Sequence, residues 1–275
     1  MTGSTEMTGS TEMTGGAEAS GGVESSERAD EGRCVIVTGA GSGIGLAVTE
    51  RLRRRGDRVL AVDLHPEAAG GETLAADLTT RAGNRAAVDT ALERFGRIDA
   101  VVAGAGFQHV ESIRDFDPDA WDGLLGILLT SPFLLAKYAW EALEAAPGGG
   151  RLVVIASAHS LTASPFKSGY VSAKHGVVGL VRTIALEGAD VGICATALCP
   201  AYVRTPLVEK QIDDQARTHG MSADEVVAKV MLERQAVKRL IEPAEVAAAV
   251  EFLLTPAGRA FTGAALPMDQ GWTAQ

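Results

Sequence analysis

Cys34-Val35-Ile36-Val37-Thr38-Gly39-Ala40-Gly41-Ser42-Gly43-Ile44-Gly45 is the stretch whose reading decides the fold. It opens as a continuous apolar run ending in glycine, the pattern of a parallel strand covered on both faces. Glycines at 39, 43 and 45 then allow a tight turn and a close approach of backbone to a ligand. The helix expected next carries Arg51, Arg53, Arg54 and Arg55 near its end and is closed by Gly56. Its N-terminus would present free N–H groups and a positive dipole end to a pyrophosphate. A glycine-rich turn alone is a weak signal. Placed strand–turn–helix at the head of an alternating β/α pattern, it is a strong one for dinucleotide binding.

Working outward, the alternation continues. Strands are expected at 58–63, 72–77, 98–106, 151–157, 193–198 and 265–269, with helices over 80–95, about 118–145 and 168–189, and helical segments through much of 205–253. Gly126 and Pro132 put the continuity of the 118–145 helix in question. Repeated β-α units with short connections predict an α/β fold, a single doubly wound parallel sheet of Rossmann type with helices on both faces. The domain is expected over residues 32–275, with 205–233 as a helical substrate lid.

Residues 1–31 read as a different object. MTGSTE occurs at 1–6 and 7–12 and MTGG starts a third copy, in a segment nearly free of large apolar side chains. Such a segment cannot offset its ordering entropy by burial and is expected to be disordered. It holds seven acids and one arginine, so six of the ten net negative charges lie there. The chain as a whole has 275 residues and no basic stripe, which excludes a nucleic-acid binder and disfavours an anionic membrane surface. Apolar stretches are interrupted short of the ~20 residues needed to span a bilayer, and no basic n-region and apolar core mark a signal peptide. Cys34, Cys194 and Cys199 have neither zinc-site nor redox-motif spacing and read as buried structural thiols, so no metal and a reducing, cytoplasmic setting are expected.

Three further features carry chemistry. Asp63, 18 residues beyond Gly45, ends the second strand, where a carboxylate accepts from both ribose hydroxyls and repels a 2′-phosphate. Neither Ser42 nor Leu64 supplies the base that an extra phosphate would want, so NAD is expected over NADP; the plainer alternative for Asp63 is a turn-forming residue before Leu64-His65-Pro66. Asp77 reads equally as an adenine-edge contact and as a cap. Tyr170 and Lys174 stand at i and i+4 on one helix face. An ammonium beside a phenol, with a cationic nicotinamide ring, would bring the phenol pKa down from about 10 and let it exchange a proton with a substrate oxygen. Ser157 ends the fifth strand, where its hydroxyl can donate to the same oxygen.

Together these motifs resemble the short-chain dehydrogenase/reductase family. Its TGxxxGxG matches Thr38 to Gly45, its YxxxK matches Tyr170 and Lys174, its serine falls on Ser157, and its proline-rich loop matches Pro200-Ala201-Tyr202-Val203-Arg204-Thr205-Pro206. The resemblance spans roughly 32–275. It implies Tyr170 as acid/base, Ser157 orienting the substrate oxygen and Lys174 on the nicotinamide ribose. It also places Gly39, Ser42, Gly43, Ile44, Gly45, Asp63, Asp77, Val203 and Thr205 against the cofactor. Two departures stand out: the family's NNAG is Ala103-Gly104-Ala105-Gly106, and its relay asparagine falls on Leu128, which cannot hydrogen-bond. Ala201 also replaces the loop glycine.

Local strings, among them Phe107-Gln108-His109-Val110 and Leu266-Pro267-Met268-Asp269-Gln270-Gly271-Trp272, look like the D-3-hydroxybutyrate dehydrogenase branch. That resemblance implies a substrate-carboxylate clamp at Gln108, His159, Lys167 and Gln211, a small anionic hydroxy or keto acid as substrate, and a homotetramer. An ammonium and neutral donors suit a small carboxylate. Two other readings are a relative acting on another carbonyl in specialised metabolism and a catalytically weak dinucleotide-binding sensor or scaffold, the latter favoured only by Leu128.

Overall fold

The computed structural model describes residues 32–274; the segment expected to be disordered lies outside the described residues. Seven strands form one parallel sheet: β1 (Cys34–Thr38), β2 (Arg58–Asp63), β3 (Thr73–Ala75), β4 (Ala100–Ala103), β5 (Arg151–Ile155), β6 (Cys194–Pro200) and β7 (Ala265–Met268). Their order is β3-β2-β1-β4-β5-β6-β7. Side chains of β1 alternate between two cores: Cys34 and Ile36 face one, Val35 and Val37 the other. Both faces are therefore buried, as the unbroken apolar run requires.

On one face, α1 (Gly43–Arg54) packs against α8 (Pro243–Leu254) through Val48, Leu52, Val246 and Val250. On the other face lie α2 (Arg81–Phe95), α4 (Ser131–Glu144) and α5 (Ser168–Glu187). Chain order reverses between β1 and β4, and in a doubly wound sheet the crevice at that point is where a ligand sits. The region 205–233 is helical, with α6 (Pro206–His219) and α7 (Ala223–Val226), and builds a small core of its own from Val208, Ile212, Val226, Met231, Leu232 and Leu240.

The long helix expected over about 118–145 forms as Pro118–Glu144. Gly126 and Pro132 do not break it: α3 (Pro118–Leu125) continues through a wide π turn at Gly126–Thr130 into α4. The Ser131 N–H reaches back to the Gly126 carbonyl, an i→i−5 bond. Widening the turn there eases Pro132 past the carbonyl of Leu128, which it could not have satisfied. The resulting 27-residue run Pro118–Glu144 holds an 18-residue window of mean hydropathy 1.3, long and apolar enough by length and composition alone to cross a membrane. Half of its most apolar window is buried inside the fold, where the same composition serves as core. Cys34 and Cys199 are buried and Cys194 only partly so; all three are free thiols.

Candidate active site

The glycine bend between β1 and α1 forms the floor of a cleft of ≈ 330 Å³ lined also by Asp63, Asp77, Gly104, Ala105 and Thr205. A Cβ on Gly45 would stand 2.1 Å from the Gly39 carbonyl oxygen. Gly39 itself has φ +71°, and a Cβ there would lie 2.8 Å from Ala105 backbone. The bend thus needs glycine for the chain's own packing as well as for a ligand. Ser42 precedes α1 without a side-chain cap, and the first turn holds no acid, so the N–H groups and dipole point unopposed into the cleft. These features fit a dinucleotide pyrophosphate.

Asp63 does two things. Its Oδ2 accepts from Gly41 N–H and its Oδ1 from His65 N–H, both at 3.0 Å, while its side chain lines the cleft. Turn former and cleft group are therefore one residue, not alternatives. Asp77 also lines the cleft, but its Oδ1 is engaged by Thr79 N–H (2.9 Å) and Thr79 Oγ1 (2.7 Å). Thr38, buried at the end of β1, accepts at Oγ1 from Gly104 and Ala105 N–H, which holds the loop after β4 in place.

Deeper in, Ser157, Tyr170 and Lys174 share a cavity of ≈ 140 Å³ with Ile44, Leu128, Val203 and Thr205. Ser157 ends β5 and accepts at Oγ from His159 N–H at 3.1 Å, capping a short turn. Lys174 is buried, with Nζ 5.6 Å from the Tyr170 ring centre, and donates to the Ile155 carbonyl at 2.7 Å. Burial lowers its pKa to about 8, against a smaller upward pull from Cys199. Burial also pushes the Tyr170 phenol up, while the Ser157 hydroxyl acts the other way and Tyr202 adds to the rise. The expected lowering rested on the ammonium together with a bound cationic nicotinamide ring; among the protein's own groups desolvation is the largest influence on the phenol.

All four residues expected to clamp a carboxylate meet in an adjoining cavity of ≈ 70 Å³ with Ser157 and Tyr170: Gln108, His159, Lys167 and Gln211. They come from the loop after β4, the turn after β5, the start of α5, and α6. Gln211 donates from Nε2 to Gln108 Oε1 at 2.7 Å. Burial and the nearby Lys167, His175 and Arg234 charges take the His159 pKa from 6.5 to about 3, so its ring is neutral. Burial likewise lowers Lys167.

A family model described as enoyl-(acyl carrier protein) reductase matches residues 39–273. The chain belongs to the short-chain dehydrogenase/reductase family. D-beta-hydroxybutyrate dehydrogenase of Rhizobium meliloti (strain 1021) is 41% identical over 257 residues, covering 88% of this chain and 99% of that protein. The enzyme of the same name from Cupriavidus necator is 37% identical, covering 89% and 99%. Among solved structures, ligand-free aldohexose dehydrogenase of Thermoplasma acidophilum superposes with TM-score 0.83 at 29% identity, covering 89% of this chain and 95% of that one. This short-chain dehydrogenase/reductase is an oxidoreductase that uses a nicotinamide dinucleotide.

Sequence reasoning missed two residues of the small cavity. Tyr202 and Trp272 line it and stack on each other, ring centres 5.7 Å apart at 10°, with His159 edge-on to Trp272 at 5.1 Å. They are 70 positions apart, and no local pattern pairs them. Leu128 lies in the wide turn of the long helix, buried, and lines the cavity of Tyr170 and Lys174.

Proposed function

We propose that this enzyme interconverts (R)-3-hydroxybutyrate, or a close short hydroxy acid, with its 3-keto acid, using NAD. One observation carries the reading: an ammonium, two amides and a neutral imidazole converge with Ser157 and Tyr170 on a single small cavity. Charge-assisted hydrogen bonds from Lys167 and the amides hold a carboxylate at one end, leaving the hydroxyl carbon at the serine–tyrosine end. In a protein of net charge −10, Lys167 supplies the local attraction for an anion.

A dinucleotide held by the glycine bend and Asp63 would supply a hydride acceptor and, in its oxidised form, positive charge that favours the phenol's anion. Tyr170 takes the hydroxyl proton as the carbon-bound hydrogen leaves as hydride, and in the reverse direction returns it to the carbonyl oxygen. Ser157 orients that oxygen. Lys174 stands close enough to the phenol ring to favour its anion whenever the lysine is charged. Asp63, half-buried at the cleft edge, favours NAD, since its charge opposes a 2′-phosphate. We also read the protein as cytoplasmic and, as its resemblance to the family implies, as a homotetramer.

The test is dinucleotide reduction, followed by absorbance, with (R)- and (S)-3-hydroxybutyrate and each of NAD and NADP. Turnover of the (R)-acid with NAD is the expected result. Tight NAD binding without turnover of either acid would overturn the reading and leave the weak-sensor alternative that Leu128 favours.

A further inference from the structure

The cleft over the glycine bend, the cavity of Tyr170 and Lys174, and the cavity of the four clamp residues adjoin one another. The two inner cavities share Ser157, Tyr170, Ala201, Leu207 and Val208. Among the described residues, Leu207 alone lines all three. It is an apolar side chain and 43% exposed. A ligand filling the cleft and its neighbouring cavity, and a second ligand filling the clamp, would therefore both touch it.

The start of α6 explains this placement. Thr205 caps the helix, its Oγ1 accepting from Val208 N–H at 3.4 Å, and Pro206 fixes the first turn. Val208 and Ile212, four residues apart, are buried in the small core of the 205–233 region. Leu207 and Gln211 form the neighbouring stripe, also four apart on one face, and both line the clamp cavity. Gln211 holds Gln108 there at 2.7 Å. On the other side Thr205 leans on the glycine bend: a Cβ on Gly43 would stand 2.9 Å from its Cγ2. Within two turns of one helix the chain runs from the glycine bend to the carboxylate clamp, and Leu207 stands between them.

We propose that Leu207 couples the two ligands: the dinucleotide and the short hydroxy acid each pack on its side chain, so that binding of one tightens binding of the other. The inference rests on the ligands proposed above. Two effects act in the same direction. Fixing a leucine rotamer costs entropy, and the first ligand to bind bears that cost, so the second meets a side chain already ordered. The first ligand also removes water from beside the clamp, where hydrogen bonds from Lys167 to a carboxylate then act in a drier space. By linkage the coupling factor is the same in both directions. Rotamer entropy and apolar burial of one half-exposed leucine correspond to a factor of about three to ten.

Titrations of the full chain with a pair that cannot react test this. NADH and (R)-3-hydroxybutyrate are both reduced, so no hydride passes between them. Saturating acid should lower the parent's NADH Kd about three- to tenfold, and saturating NADH should lower the acid's Kd by the same factor. Leu207→Ala should bring both factors to about one, with the Kd for NADH alone changed by less than about threefold. Leu207→Met, close in volume and equally apolar, should keep the coupling. A merely structural leucine would weaken each ligand alone and leave the coupling factor unchanged. A second readout needs no acid. In Leu207→Cys a maleimide should label the introduced thiol, and NAD alone should slow that labelling several-fold, with the parent's free cysteines giving the background. Labelling unchanged by bound NAD, a coupling factor that survives Leu207→Ala, or no coupling in a parent that binds both ligands would overturn the proposal. Failure of the hydroxybutyrate reading would appear differently, as NAD protection at position 207 without any binding of the acid, and it would take the coupling with it.

Discussion

Asp63→Asn separates the two jobs that one carboxylate performs. In the parent, Oδ2 and Oδ1 each accept a backbone N–H at 3.0 Å, from Gly41 and His65. The amide keeps the shape but turns one acceptor into a donor, so one of those two bonds is lost. A hydrogen bond to a charged group contributes about 1.5–3 kcal/mol, and partial exposure trims this to about 1–2 kcal/mol of folding stability. For a domain of this size, that is a fall in Tm of about 3–6 °C. Independently, the ribose hydroxyls lose a charged acceptor, another ~1.5–3 kcal/mol, or about a 10- to 150-fold rise in the NAD Kd. A 2′-phosphate loses a repelling charge, so the NADP Kd should stay level or fall. Calorimetric titration with both dinucleotides, with thermal unfolding of the same samples, reads both effects. A lower Tm with an unchanged NAD Kd would show that Asp63 only builds the turn. Parallel weakening of NAD and NADP would show that the glycine bend collapsed, and the ribose argument would fail.

Gly45→Ala puts a methyl 2.1 Å from the Gly39 carbonyl oxygen, so the bend must shift. The strain of about 1–3 kcal/mol should appear as a weaker NAD Kd by titration, with helix and strand content unchanged by circular dichroism. Tyr170→Phe should cut kcat by about 10²–10⁴ with the NAD Kd changed by less than about twofold, measured by steady-state kinetics and titration. For His159, the folded pKa of about 3 lies below the unfolded 6.5, so the unfolded chain binds a proton that the folded one refuses. The stability tied to that group is full above pH 6.5 and is lost as pH falls toward 3, about 2 kcal/mol of it by pH 5. Denaturant unfolding should show His159→Gln losing that much less between pH 7 and 5.

Several parts of the molecule were legible in sequence because their signals are local. The β1 run, the glycine bend and α1 are contiguous, and the second strand was expected at 58–63, where Arg58–Asp63 forms β2. Tyr170 and Lys174 lie one helical turn apart, so helix geometry alone brings them together. The resemblance placed Gln108, His159, Lys167 and Gln211 together, and the fold brings all four to one cavity. Other parts were not legible. Gly126 and Pro132 left the continuity of the long helix in question, and only the widened turn between α3 and α4, supported by packing on both sides, shows how the helix accommodates the proline.

By itself, the order of residues determined the alternation of strand and helix, the glycine positions that the first bend demands, and the chemical types available at the site. Those follow from rules acting over a few residues: side-chain periodicity, steric freedom at glycine, and helix pitch. Tertiary structure decided which distant groups share a space and how dry that space is. It set Tyr202 against Trp272, gave Asp63 its hold on Gly41, and turned the lysine toward the Ile155 carbonyl. It also decided that, among the protein's own groups, burial pushes the phenol up, since desolvation depends on everything packed around a group, and spacing along the chain records none of that.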